Sequence, residues 1–302
     1  MTFGAQVDEP TARSMVDLCL ERGINFIDTA NVYCAGESER ILGRILAGRR
    51  ERFILASKVG IKNGEAPIEQ GLSPAAIRKA IDDSLRRLQT DYVDLYYLHQ
   101  PDYSTPIEQS LATMNELVIA GQVKHVAASN YAAWQLCQML WLADKNHWQP
   151  LVAVQPMYNL LARRIEQELV PFCNECKIGV VPYNPLAGGL LTGKHIQAAP
   201  IAGSRFDRMP LYRDRYWNDE NFAAVERLTD IARNTNRSLP QLAISWILQQ
   251  RTVTSVILGA SQLAHLEENL DALDKPPLPP EALAACDEVW ARVRGVSPAY
   301  NR

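Results

Sequence analysis

Short apolar runs alternate with amphipathic stretches along almost the whole chain. The runs at 25–28, 53–58, 92–98, 123–128, 152–155, 179–182 and 253–258 are rich in Val, Ile and Tyr and carry few internal charges. That pattern predicts strands buried on both faces, as in a parallel sheet. The stretches between them predict helices, with explicit start and stop signals. Ser73-Pro74 and Thr105-Pro106 each set a capping hydroxyl before a proline in the first turn. Ser238 and Gln241 have the spacing of a capping box. Gly23, Gly121 and Gly179 fall where helices should stop and turn into strands.

Through the first six runs the spacing is that of repeated βα units, the rhythm of a parallel sheet. A doubly wound sheet would bring a glycine-rich turn of the G-x-G-x-x-G type after its first strand, and none is present. Chemistry-capable residues instead follow several different strands, as in a (β/α)8 TIM barrel, whose site is built at the C-terminal rim. The expected organisation is one barrel domain over 1–302, interrupted by a long loop at 195–218 and closed by a helix and tail at 279–302. The seven runs are one short of the eight a barrel needs.

Composition narrows the function. The chain has 302 residues, 47% of them hydrophobic, and a formal net charge of -3 without charge blocks. Neither a nucleic-acid partner nor a membrane is expected, because no basic surface and no apolar run of about 20 residues is present. No signal peptide is visible, so the expected location is the cytoplasm. The oligomeric state is left open. Six cysteines show no disulfide framework. Cys173 and Cys176 fall in a helix-like stretch without further ligands at metal spacing, so no metal site is expected.

Four residues end or closely follow strands: Asp28, Tyr33, Lys58 and His99. Singly each has a plain structural explanation, as a cap, a solvated ammonium or a core imidazole. On one barrel rim they converge. A lysine inside Ile54-Leu55-Ala56-Ser57-Lys58-Val59-Gly60 has little water near it and needs a carboxylate partner. Such a cation would also stabilise tyrosinate and pull a phenol down from its ordinary pKa of about 10, making Tyr33 a usable proton donor.

At these residues the sequence resembles the aldo-keto reductase family. The resemblance is carried by Asp28-Thr29-Ala30-Asn31-Val32-Tyr33, Gly36-Glu37-Ser38-Glu39, Ala56-Ser57-Lys58-Val59-Gly60 and the run from Asp91 to His99. It continues through Ser129-Asn130, Gln155 to Asn159, Pro182 to Leu190, and Gly259-Ala260-Ser261 followed by Glu268-Asn269. It implies a barrel that binds NADPH, in preference to NADH, and reduces a small-molecule carbonyl. By the resemblance Tyr33 is the general acid, Lys58 paired with Asp28 lowers its pKa, and His99 orients the carbonyl or shares in the proton transfer.

The resemblance likewise implies cofactor contacts. Ser129, Asn130 and Gln155 would meet the nicotinamide carboxamide, and Tyr183 would stack on its ring. Asn184, Pro185, Leu186 and Gly188 would run along the pyrophosphate. Gly259 and Ser261 open the next helix toward the 2′-phosphate, with Lys194 and Arg205 as nearby cations. His265, Glu268 and Asn269 fall at the adenosine end. Phe206, Tyr212, Tyr216, Trp217, Tyr103 and Tyr300 would overhang the rim and favour aromatic or apolar aldehydes, against which Arg208, Arg213 and Arg215 argue for an anionic group.

Two positions depart from the family pattern. Cys34 follows the tyrosine where glycine is common, and Ser261-Gln262 stands where many members use arginine against the 2′-phosphate. Met1 to Gly4 resembles the end of a first barrel strand, so the first strand is expected to be truncated, with about 30 upstream residues closing the barrel. A second functional class shares the pattern: a cofactor-bearing regulatory subunit similar to potassium-channel beta subunits, with slow turnover.

Overall fold

The computed structural model describes residues 2–64, 66, 68 and 70–296. The chain divides into two compact units, the first comprising residues up to 155 with 175–179 and 259–263, the second the remainder.

The first unit is a repeated strand–helix ladder. Its helices are α1 (Glu9–Glu21), α2 (Glu37–Leu46), α3 (Pro74–Leu88), α4 (Ile107–Ile119) and α5 (Ala133–Asn146), and its strands β1 (Phe26–Asp28), β2 (Ile54–Val59), β3 (Val93–Leu98), β4 (Val123–Ser129) and β5 (Ala153–Gln155). Neighbouring strands pair in parallel and in chain order, with Asp28 opposite Ala56, Lys58 opposite Tyr97, Leu98 opposite Ala128 and Ser129 opposite Gln155. A sixth strand, β6 (Gly179–Val180), follows in the same order, its Gly179 N–H donating to the Val152 carbonyl. Leu55, Ala56, Tyr96, Tyr97, Leu98, Ala127, Ala128 and Val154 are completely buried, as strands covered on both faces require. This alternation is the (β/α) barrel class expected from the sequence.

Among the described residues no strand pairs with the other edge of β1. Residues 2–7 form a closed turn instead, in which the Thr2 carbonyl accepts from the N–H groups of Ala5, Gln6 and Val7. Met1 lies outside the described residues.

The second unit carries α6 (Leu169–Cys176), α7 (Arg205–Arg208), α8 (Pro210–Tyr216), α9 (Asp219–Asn234), α10 (Leu239–Leu248), α11 (Leu263–Leu270) and α12 (Pro280–Arg294). The segment 195–218, expected as loop, thus contains two short helices. Phe206, Tyr212 and Tyr216 are at most 5% exposed, packed with Leu228, Leu242 and Trp246. They are core residues and not rim aromatics: each ring finds a hydrophobic partner inside its own unit, which water at a rim could not supply. Tyr300 lies outside the described residues.

The sequence signals fared unevenly. Ser73 caps α3 through the Ala76 N–H, and Ser238 and Gln241 form the reciprocal capping box of α10. Thr105 does not cap α4; its hydroxyl donates to Asp102 at 2.8 Å, and the helix starts after Pro106. Gly179 is the first residue of β6, and the left-handed residue closing α6 is Lys177 with φ 55°. The run 253–258 makes one parallel bridge, Val253 to Val180, and no strand. Thr254 and Ile257 donate to the Val180 and Pro182 carbonyls, but Pro182 has no N–H with which to return a bond.

Candidate active site

Three elements of the first unit deliver the reactive side chains. β1 ends at Asp28, β2 carries Lys58 one residue before its end, and His99 follows β3 directly. Because the strands are parallel and in register, these ends lie on one rim. Tyr33 sits on the turn joining β1 to α2.

The Lys58 side chain is fully buried, and its ammonium donates to Asp28 Oδ1, whose side chain is 4% exposed. It also donates to the Thr29 carbonyl at 2.8 Å and to the Tyr33 hydroxyl at 3.4 Å. Burial works against the charge, but the Asp28 carboxylate and the Tyr33 oxygen outweigh it and hold the Lys58 pKa above the ordinary lysine value. Asp28 Oδ2 accepts from Gln155 Nε2 at 2.8 Å, so both carboxylate oxygens are engaged.

His99 is 7% exposed, and its ring meets that of Tyr33 edge to face. Burial first, and the Lys58 charge second, push its pKa down to about 3. The imidazole is therefore neutral at physiological pH, with a single N–H to donate. That N–H suits it to orient an oxygen placed beside Tyr33.

Several neighbours were invisible to sequence reasoning. The Thr29 carbonyl is backbone and carries no side-chain signal. Tyr97, opposite Lys58 in the ladder, is completely buried with its ring centroid 5.7 Å from Nζ. Gln155, expected as a carboxamide contact, spends its amide N–H on Asp28.

The remaining predicted positions divide between the units. In the first, the Ser129 hydroxyl donates to the Gln155 carbonyl at 2.8 Å, and the Asn130 amide donates to the His99 carbonyl and to Ser129 Oγ, both at 3.0 Å. Asn130 takes a left-handed φ of 63° to do so. Gly259 has open space where a Cβ would project. Ser261 is exposed and lines a cavity of about 550 Å³ together with Gln262, Leu263 and residues 4–8.

In the second unit, Tyr183 bridges Met157, and Asn184 Oδ1 accepts from the Gly188 N–H at 2.6 Å. Pro185 is buried and Leu186 half-buried. A Cβ on Gly188, whose φ is 70°, would lie 2.6 Å from Tyr212 Cδ1, so packing against the ring already requires glycine there. Arg205 lies over the Tyr212 ring at 5.0 Å, while Lys194, His265 and Glu268 are exposed and Asn269 is buried.

A sequence model of the Aldo/keto reductase family matches residues 1–291. The chain is 35% identical to aflatoxin B1 aldehyde reductase member 2 of Mus musculus, with all of this chain and 86% of that protein aligned. It is equally similar, at 35%, to aldo-keto reductase family 7 member A3 of Homo sapiens, over all of this chain and 95% of the other. It is also 36% identical to a probable voltage-gated potassium channel subunit beta of Arabidopsis thaliana, over 92% of this chain and 86% of that one.

Proposed function

The chain belongs to the aldo/keto reductase family, and from that premise we propose that it reduces aldehydes or ketones to alcohols by hydride transfer from NADPH, with Tyr33 as proton donor. One observation carries the reading: a buried ammonium, Lys58, is ion-paired to Asp28 and lies 3.4 Å from a phenol hydroxyl.

The residues present fit a nicotinamide nucleotide. Asn130, fixed through its amide N–H groups, offers a side-chain oxygen of the kind a carboxamide N–H2 needs. Gly259 leaves backbone open beside the exposed Ser261 hydroxyl. In this reading Ser129, Asn130 and Gln155 take the carboxamide end, Tyr183 the ring and Asn184, Pro185, Leu186 and Gly188 the pyrophosphate. Gly259, Ser261, Lys194 and Arg205 take the 2′-phosphate, and His265, Glu268 and Asn269 the adenosine. When bound, the cofactor supplies the hydride.

The chain's own part is proton transfer and orientation. Neutral His99 positions the carbonyl oxygen beside Tyr33. Tyr33 gives its proton to that oxygen as negative charge develops there, and Lys58 stabilises the tyrosinate left behind. Asp28 keeps Lys58 charged and aimed, with Gln155 holding the carboxylate from the far side.

A second reading, a cofactor-bearing regulatory subunit, is favoured by the similarity to the plant channel subunit. Consumption of NADPH with a panel of aldehydes separates the two. Multiple turnovers per minute with at least one aldehyde are expected. A single slow turnover with every aldehyde would favour the regulatory subunit.

A further inference from the structure

The turn that presents Tyr33 is held in an unfavourable conformation. Cys34 (φ 52°, ψ 44°), Ala35 (φ 51°, ψ 40°) and Gly36 (φ 84°) are three successive left-handed residues, and two of them carry a Cβ. Only glycine enters this region without a steric penalty, so the surroundings must impose it.

The groups that do so lie just behind the turn. Glu39, in the first turn of α2, is completely buried. Its Oε1 accepts from the hydroxyl of Ser57, the residue before Lys58, at 2.5 Å, and its Oε2 accepts from Arg87 Nε at 2.7 Å. Arg87, in the last turn of α3, also reaches Ser84 Oγ at 3.3 Å. Two glycines on α2's approach make this contact possible. A Cβ on Gly36 would lie 2.8 Å from Arg87 Cδ, and one on Gly43 would lie 2.4 Å from the Arg87 carbonyl oxygen. Arg87 is thereby wedged against the end of the left-handed turn, and Glu39 fastens the same helix to the strand that carries Lys58. A hydroxyl contact between Thr29 and Ser38 at 2.9 Å closes the frame on the β1 side.

We propose that the Arg87–Glu39 pair is a positioning device that imposes the left-handed turn 34–36 and so aims the Tyr33 hydroxyl at Lys58. The proposal rests on the reading of Tyr33 as proton donor. A buried ion pair adds little net stability over apolar residues of the same shape, and its effect is on geometry. Neither residue is among those assigned above to substrate or cofactor.

The test is steady-state aldehyde reduction by Arg87→Met, Arg87→Met/Ala35→Gly and Tyr33→Phe. Arg87→Met is expected to lower kcat by at least about tenfold with KM for the aldehyde within about twofold of wild type, because a small misplacement of a reacting group is costly while the pocket is unchanged. Adding Ala35→Gly is expected to restore most of that kcat, since glycine holds the turn without the clamp. Lower thermal stability is expected under either role, since Glu39 is left buried without its partner; a purely structural role would not be rescued in kcat by a glycine. Should Arg87→Met fail to fold, Arg87→Lys, which keeps the charge but loses the planar fork, decides in its place through a several-fold drop in kcat. Wild-type kcat in the Arg87 variant beside an inactive Tyr33→Phe overturns the positioning role alone, as does an absent glycine rescue. An active Tyr33→Phe overturns the reading beneath it.

Discussion

The rings of Tyr33 and His99 meet edge to face, with centroids 5.9 Å apart and planes at 78°. The contact sits beside the Lys58 ammonium, and burial together with that charge pushes the His99 pKa down to about 3 from its ordinary 6.5. Between those values the unfolded chain binds a proton that the folded chain does not, so stability falls as the pH drops through that window. His99→Asn should flatten this part of the urea-midpoint profile. The pH–rate profile of the wild type should show no inflection from His99 near 6.5. A His99 titration in that range by NMR would contradict the assignment.

Lys58 and Asp28 form a buried pair, so removing one partner strands the other. Asp28→Ala should lower stability by about 3–5 kcal/mol, whereas Asp28→Leu with Lys58→Met should recover most of it while remaining inactive. Urea denaturation of the three proteins measures this. A double variant no more stable than Asp28→Ala would show that charge burial is not the dominant cost.

Gly43 lies directly on the backbone of Arg87 and Leu88. Gly43→Ala should cost about 1–3 kcal/mol through overpacking, although alanine is the better helix former. Gly259→Ala, with nothing within 4 Å of its added carbon, should leave the denaturation midpoint nearly unmoved. Equal midpoints for the two variants would contradict the helix contact described above.

Lys194→Ala should weaken NADPH binding about tenfold and NADH binding hardly at all, the expected size of one charge-assisted phosphate contact. Fluorescence titration with both nucleotides is the measurement. An equal loss for both would place Lys194 away from the 2′-phosphate.

The ends of β1, β2 and β3 were legible because buried parallel strands are nearly pure apolar runs, and an ionisable residue closing such a run marks the rim. Asp28, Lys58 and His99 were found in that way, and the structure brings them together with Tyr33. The left-handed turn after Tyr33 was not legible, since Cys34 and Ala35 give no backbone signal; the departure from glycine at Cys34 was visible, but not the φ that makes glycine natural there. Thr105 misled because Asp102, three residues earlier, competes for its hydroxyl. The aromatics of 195–218 misled because a ring destined for a core and one destined for a rim look alike in sequence, and only the packing of Phe206, Tyr212 and Tyr216 tells them apart.

The central claim is that Tyr33 donates the proton, and Tyr33→Phe tests it most directly, since the change removes one oxygen and leaves the ring against His99. Measured by NADPH consumption with the best aldehyde, kcat should fall at least about 10²-fold while NADPH affinity stays within about twofold. A Tyr33→Phe enzyme within a few-fold of wild-type kcat would contradict the account.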